Sequence, residues 1–151
     1  MQRAILLFVI LGFAKATVAG GVVTAASDPG LEILSQVHGI HSLTDDKHGL
    51  SVRLFETGGG DPATNGNLLI LTIVPFDPAQ GAVTWKTGLD VYTVRSVTLD
   101  PDATEVNVQV NEHFKGGEGL IEERPRAYVI DYDVDAATGA PVAAIRIRAR
   151  E

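Results

Sequence analysis

The 151-residue chain contains no cysteine. Disulfides, a lipidated-cysteine anchor and a thiolate nucleophile are therefore excluded, and its core must suffice without cross-links. Cations are scarce, with 12 Lys and Arg against 19 Asp and Glu, for a formal net charge of −7. An acidic surface repels phosphate backbones and anionic headgroups, so neither nucleic acid nor a lipid surface is expected as a partner. After the first twenty residues no stretch is long and apolar enough to span a bilayer. Also missing are internal repeats, heptads, a Walker or dinucleotide glycine pattern, a nucleophile elbow and a zinc-protease helix.

What is present begins with the three parts of a secretory signal. Arg3 precedes an apolar run from Ala4 to Ala14, and small residues follow up to Thr17-Val18-Ala19. Eleven apolar residues rise about 16 Å as a helix, roughly half the hydrocarbon thickness, which favours a cleaved signal (residues 1–19) over an anchor. Lys15, between the run and the cleavage site, is the one irregular feature. Cleavage removes Arg3 and Lys15 and no acid, leaving 10 basic against 19 acidic residues. The expected product is secreted or periplasmic: a flexible lead (20–27) and a single domain (28–151), with no integral membrane segment. About 132 residues suit one domain that buries about two thirds of the surface its unfolded chain exposes.

The stretch DPGLEILSQVHG fits both a helical face and a strand alternation. Its punctuation favours a short helix, with Asp28 as N-cap, Pro29 at the first helical position and Gly39 ending it. From Leu50 onward the period changes to two. LSVRLFE alternates, while NLLILTIV is apolar at nearly every position, as expected of a strand in the middle of a sheet. VYTVRSVTL and EVNVQVNE are joined by the turn-forming DPDAT; Val106, Val108 and Val110 point to a core, and Asn107, Gln109 and Asn111 to the opposite face. The last hairpin, AYVIDYDV and VAAIRIRARE, flanks a turn with Gly139 at its left-handed position. If residue i pairs with 277 − i, Tyr132 faces Ile145, Ile130 faces Ile147 and Asp131 faces Arg146. A one-residue slip would set aspartates against isoleucines. These patterns predict a mainly β protein, an antiparallel β-sandwich, Ig-like or a partly closed barrel, with at most one short N-terminal helix.

Three groups of residues are chemically suggestive. His38, His41 and His48 lie within eleven residues, with Asp45 beside them, and are the candidate ligands for zinc or copper. That reading depends on the helix, because residues three apart share a helical face but point to opposite faces of a strand. The competing reading is an ordinary solvated connection. Asp131, Asp133 and Asp135 have the odd spacing that opens a calcium loop, but Ala136 stands where the loop's glycine is needed and Val142 where its last acid is needed. A charge ladder on the hairpin is the better account. Residues 112–126 read as a long irregular segment in which Phe114, Leu120 and Ile121 are mixed with Lys115 and Glu118 among glycines, the makeup of a contact loop.

The favoured function is a binding or accessory protein that acts through Phe114, Lys115, Glu118, Leu120 and Ile121 on an envelope or extracellular protein or a small ligand, without catalysis. The alternatives are an extracytoplasmic zinc- or copper-binding protein and a hydrolase with dispersed carboxylates and histidine, for which Glu112, His113, Glu118, Glu122 and Glu123 are the local candidates. Trp85 and Tyr92 could stack on a sugar but are more readily placed in the core.

Overall fold

A computed structural model describes residues 36–60 and 65–150. The signal (1–19), the flexible lead (20–27) and the start of the expected helix lie outside the described residues. Eight strands follow one another: β1 (Val37–Asp45), β2 (Leu50–Gly58), β3 (Asn67–Pro75), β4 (Val83–Val91), β5 (Thr93–Asp100), β6 (Glu105–Lys115), β7 (Ile121–Val134) and β8 (Pro141–Arg150). A 3-10 turn at Pro78–Gln80 is capped by Asp77, whose carboxylate accepts from the Ala79 amide.

The strands form two antiparallel four-stranded sheets, in the orders β1-β2-β3-β4 and β5-β6-β7-β8, and neither closes into a barrel. Each is a plain meander. The chain passes from one sheet to the other through the single residue Tyr92, between Val91 and Thr93. The exchange of strands between sheets that defines an Ig-like Greek key is absent among the described residues.

Alternation does the sorting. Leu50, Val52 and Leu54 on β2 and Leu69, Leu71 and Ile73 on β3 turn inward against Val106, Val108 and Val110 on β6 and Ile130 and Tyr132 on β7, all of them buried. Each such aliphatic side chain contributes about 1.5–3 kcal/mol by leaving water. β3 is an interior strand, and its outward Leu68, Ile70 and Val74 are half-buried, which accounts for the nearly unbroken apolar run. The last hairpin pairs as expected: Tyr132 with Ile145, Ile130 with Ile147, and Asp131 with Arg146. On its outer face Arg146 lies 3.3 Å from Asp133 and Arg148 lies 3.4 Å from Asp131. Asp135 instead closes the turn, accepting from the Ala137 and Thr138 amides, while Gly139 takes φ 72°. The three aspartates are thus spread over a strand and its turn.

Two expectations need correction. The N-terminal helix was expected to reach Gly39, but Val37–Asp45 is strand β1, paired with β2 from Val37↔Thr57 to Asp45↔Leu50. The local helix signals lose to a full ladder of sheet hydrogen bonds and to Leu43 packing on the core. Residues 112–126 are not an irregular loop. β6 and β7 stay in register as far as Lys115↔Ile121, leaving only residues 116–120 as a turn. Charged side chains there disguise a two-stranded ribbon as a loop, because both its faces are partly solvated.

Candidate functional site

The β6–β7 hairpin is longer than its neighbours. The last residue of β6 paired to β5 is Asn111, opposite Thr93, and the first residue of β7 paired to β8 is Ala127, opposite Arg150. Among the described residues the ribbon therefore runs past the flanking strands from Glu112 to Lys115 and from Ile121 to Arg126. Its tip is closed by the Gly116 amide donating to the Leu120 carbonyl (2.8 Å) and the Gly119 amide donating to the Gly116 carbonyl (3.0 Å). Gly119 sits at φ 77°, where a side chain would be strained.

Cross-strand pairs stiffen the ribbon. Glu112 lies opposite Arg124, and its carboxylate accepts from the Tyr128 phenol while Arg124 and Arg126 stand 3.6 and 3.8 Å away. Burial, then the hydrogen bond to Glu112 and its negative charge, push the Tyr128 phenol up to about 12. The Arg124 guanidinium lies over the Phe114 ring at 4.5 Å, a cation–π contact. His113 is fixed at the ribbon's base. Its ring stacks on Tyr92 at 3.9 Å, its amide donates to Asn65 Oδ1 at 2.8 Å, and its Nε2 stands 4.0 Å from a Glu123 oxygen. The Asn67 amide group holds the Tyr92 carbonyl in turn, at 2.5 Å. The ribbon is thereby tied to both sheets.

The residues expected to make contact divide accordingly. Leu120 and Ile121 stand out at the tip, 64% and 59% exposed, with Lys115 and Glu118 exposed beside them. Phe114 is half-buried beneath Arg124 and supports the ribbon instead. Residues that sequence reasoning missed are Asn65, Arg124, Arg126 and Tyr128, and Tyr92, expected in the core, is instead exposed and stacked on His113. The available signal was that Glu112-His113 and Glu123-Arg124 become opposite neighbours once the hairpin is centred on Glu118. The dispersed carboxylates are likewise engaged: Glu112 with Tyr128 and the arginines, and Glu123 with Asn111 and near His113.

The histidines do not converge. His41 lies on β1 opposite Leu54, its Nε2 2.7 Å from Glu56 Oε1. His38 is exposed, with Nδ1 3.3 Å from the Gln36 carbonyl. His48, in the β1–β2 turn, pairs through Nδ1 with the buried Asp45 at 2.8 Å. A strand in place of the helix sends His38 and His41 apart, and the third histidine serves a different carboxylate. Among the described residues no three His, Cys, Asp or Glu side chains form a group that could hold a metal ion. Trp85 packs against the core and donates to the Ala143 carbonyl at 3.2 Å.

Among the described residues no helix is long and apolar enough to cross a membrane. No protein-family model, curated protein or solved structure matches the chain.

Proposed function

We propose that this chain is a secreted or periplasmic β-sandwich binding module that engages a protein partner through the tip of the β6–β7 ribbon. The observation that carries this reading is the pair Leu120 and Ile121, held out at the end of a ribbon that is stiffened by ion pairs and anchored at its base. Two exposed aliphatic side chains rimmed by Lys115, Glu118 and Glu122 make a small apolar contact with charged edges, the anatomy of a protein-binding patch. Cross-strand pairing preforms the ribbon, which also lowers the ordering cost of association. The N-terminal charge, apolar run and small-residue motif support export. No comparable observation favours the zinc or copper reading or the hydrolase reading.

The test compares the mature chain with Leu120→Ala/Ile121→Ala in capture from the source's envelope fraction. The captured protein is then identified, purified and titrated against both forms. The double variant is expected to keep its melting temperature and to bind about tenfold or more weakly. Equal affinity of the two forms would remove the tip from the interface and the reading with it.

A further inference from the structure

The outer face of the β5–β8 sheet carries a second feature, remote from the ribbon tip and independent of the reading above. Its charges are unevenly matched. At one end Arg146 and Arg148 are answered by Asp133, Asp131 and Glu105. At the other end Arg95, Arg126 and Arg150 border a concavity of about 360 Å³ with Gln109, Ala127 and Pro125, and among the described residues no carboxylate lines it.

The register explains the shape. Ser96, Gln109, Ala127 and Arg150 form one transverse row across β5, β6, β7 and β8. Arg95 is the extra residue of a bulge, because Val94 pairs with Val110 and Ser96 already pairs with Gln109. Bulges re-aim side chains, and this one sits on an edge strand. Four strands at about 4.8 Å spacing place the two rims about 14 Å apart, with the short Ala127 side chain on the floor between them. Long arginine side chains rise from both rims.

The arginines here are poorly neutralised. The Arg95 side chain makes no hydrogen bond or ion pair with any described residue. Arg150 donates to the Asn107 side-chain oxygen at 3.2 Å, a neutral partner. Arg126 is shared, with Glu112 3.8 Å from its Nε. Glu123, an acid of the same ribbon, is bonded to the Asn111 side chain and lies near His113. In a chain with only 12 cationic side chains against 19 acids, Arg95 and Arg150 beside a hollow that no described carboxylate lines are a local reversal of the overall field.

We infer that this hollow binds a small anion through Arg95 and Arg150, with Gln109 on the floor supplying a neutral hydrogen-bonding group. The ligand class is a small organic molecule bearing phosphate or carboxylate. Planar guanidinium groups meet either group with paired, charge-assisted hydrogen bonds, and the volume lies within the range of small-molecule sites. The surrounding acidic surface repels extended polyanions, so a compact ligand is favoured over a nucleic acid.

The experiment is calorimetric titration of the mature protein with glucose 6-phosphate and, separately, with citrate, using glucose as the uncharged control. Saturable binding of at least one anion that weakens as salt is raised is expected, with no heat of binding from glucose. The stronger of the two identifies the anionic group. Arg95→Gln/Arg150→Gln should weaken that binding about tenfold or more. Arg146→Gln/Arg148→Gln, which removes the same charge from the neutralised end of the face, should leave it within about twofold. Arg95→Lys/Arg150→Lys keeps the charge without the fork and is expected to fall between. Equal weakening by the two glutamine variants would reduce the effect to net charge and overturn the site, as would failure of both anions to saturate. Thermal melts establish that each variant is folded; should the double variant not fold, Arg95→Gln alone, altering an exposed edge residue, carries the same prediction in smaller degree.

Discussion

Tyr132 donates a 2.6 Å hydrogen bond to Asp45, across the sandwich core from a residue 87 positions away. Asp45 is fully buried at the end of β1, and it also accepts from the His48 amide at 3.1 Å and pairs with the His48 ring. Burial alone would raise this carboxyl's pKa. The hydrogen bonds from Tyr132 and His48, with the charge of His48, outweigh burial and hold it below the ordinary carboxylate value. A group whose folded pKa is depressed stabilises the fold fully above its unfolded value of about 3.9, and that contribution disappears as pH falls through the folded value. Tyr132→Phe should lower stability by about 1–3 kcal/mol at neutral pH, because a buried acceptor loses its donor. It should also move the acid-unfolding midpoint toward neutrality. Urea unfolding at several pH values checks both, and parallel pH profiles for the two proteins would disprove the coupling.

The alkaline side has its own reporter. Tyr128 is held to about 12 by burial and by Glu112, and Tyr132 is raised further by burial and by its bond to Asp45. Phenols whose folded pKa is raised stabilise the fold below the unfolded value of about 10 and lose that contribution as pH rises through the folded value. Ultraviolet titration should therefore show the Tyr128 phenol ionising only near about pH 12, with the onset of alkaline unfolding between about pH 10 and 12. Glu112→Gln should lower the Tyr128 transition while leaving it above an exposed phenol, since burial is the larger cause. An unchanged transition would mean that Glu112 is not the partner in solution.

The parts of the fold legible in sequence were those where one physical constraint dominated. Val106, Val108 and Val110 alternate with amides and fall inside, and the 277 − i register follows from opposing Asp131 to Arg146 while keeping Ile130, Tyr132, Ile145 and Ile147 together. Where two signals competed, the local one misled. Asp28, Pro29 and Gly39 punctuate a helix, yet the chain from Val37 pairs with β2, a contact no short window reveals. The ribbon was hidden because Glu112, Glu122, Glu123, Arg124 and Arg126 break the apolar alternation that marks a strand; its order comes from cross-strand charge pairing and one cation–π contact. The arginine hollow was invisible for a similar reason: it needs the β5 bulge and three registers at once.

Inner and outer positions of β3 should respond very differently to truncation. Leu71 is fully buried among Leu54, Trp85 and the facing sheet, so Leu71→Ala should cost about 2–5 kcal/mol. Its neighbour Thr72 points outward, where its hydroxyl meets that of Thr84 at 2.9 Å, and Thr72→Ala should cost under about 1 kcal/mol. Denaturant midpoints of the two variants give the comparison directly. Similar losses at both positions would mean that the outward face of this sheet is covered in solution.

The ribbon should open independently of the sandwich. Among the described residues, its strands beyond Asn111 and before Ala127 pair only with each other, so its ladder lacks the flanking strands and apolar cover that protect Val108 and Ile130. Elements with few buried contacts exchange amide protons through local opening, without global unfolding. Amides of Lys115 and Ile121 should therefore exchange much faster than those of Val108 and Ile130 under native conditions. Phe114→Ala removes the ring beneath Arg124, whose Nε is buried without a hydrogen-bond partner, and should speed exchange along residues 112–126 severalfold. Core protection should stay nearly unchanged, because the substitution leaves every inter-sheet aliphatic contact in place. Tyr92→Ala removes the surface on which His113 stacks and should free the base of the ribbon as well as its tip. Uniform loss of protection across both sheets in the Phe114 variant would make the ribbon part of the cooperative core, and its tip would then owe its position to the sandwich rather than to its own cross-strand pairs.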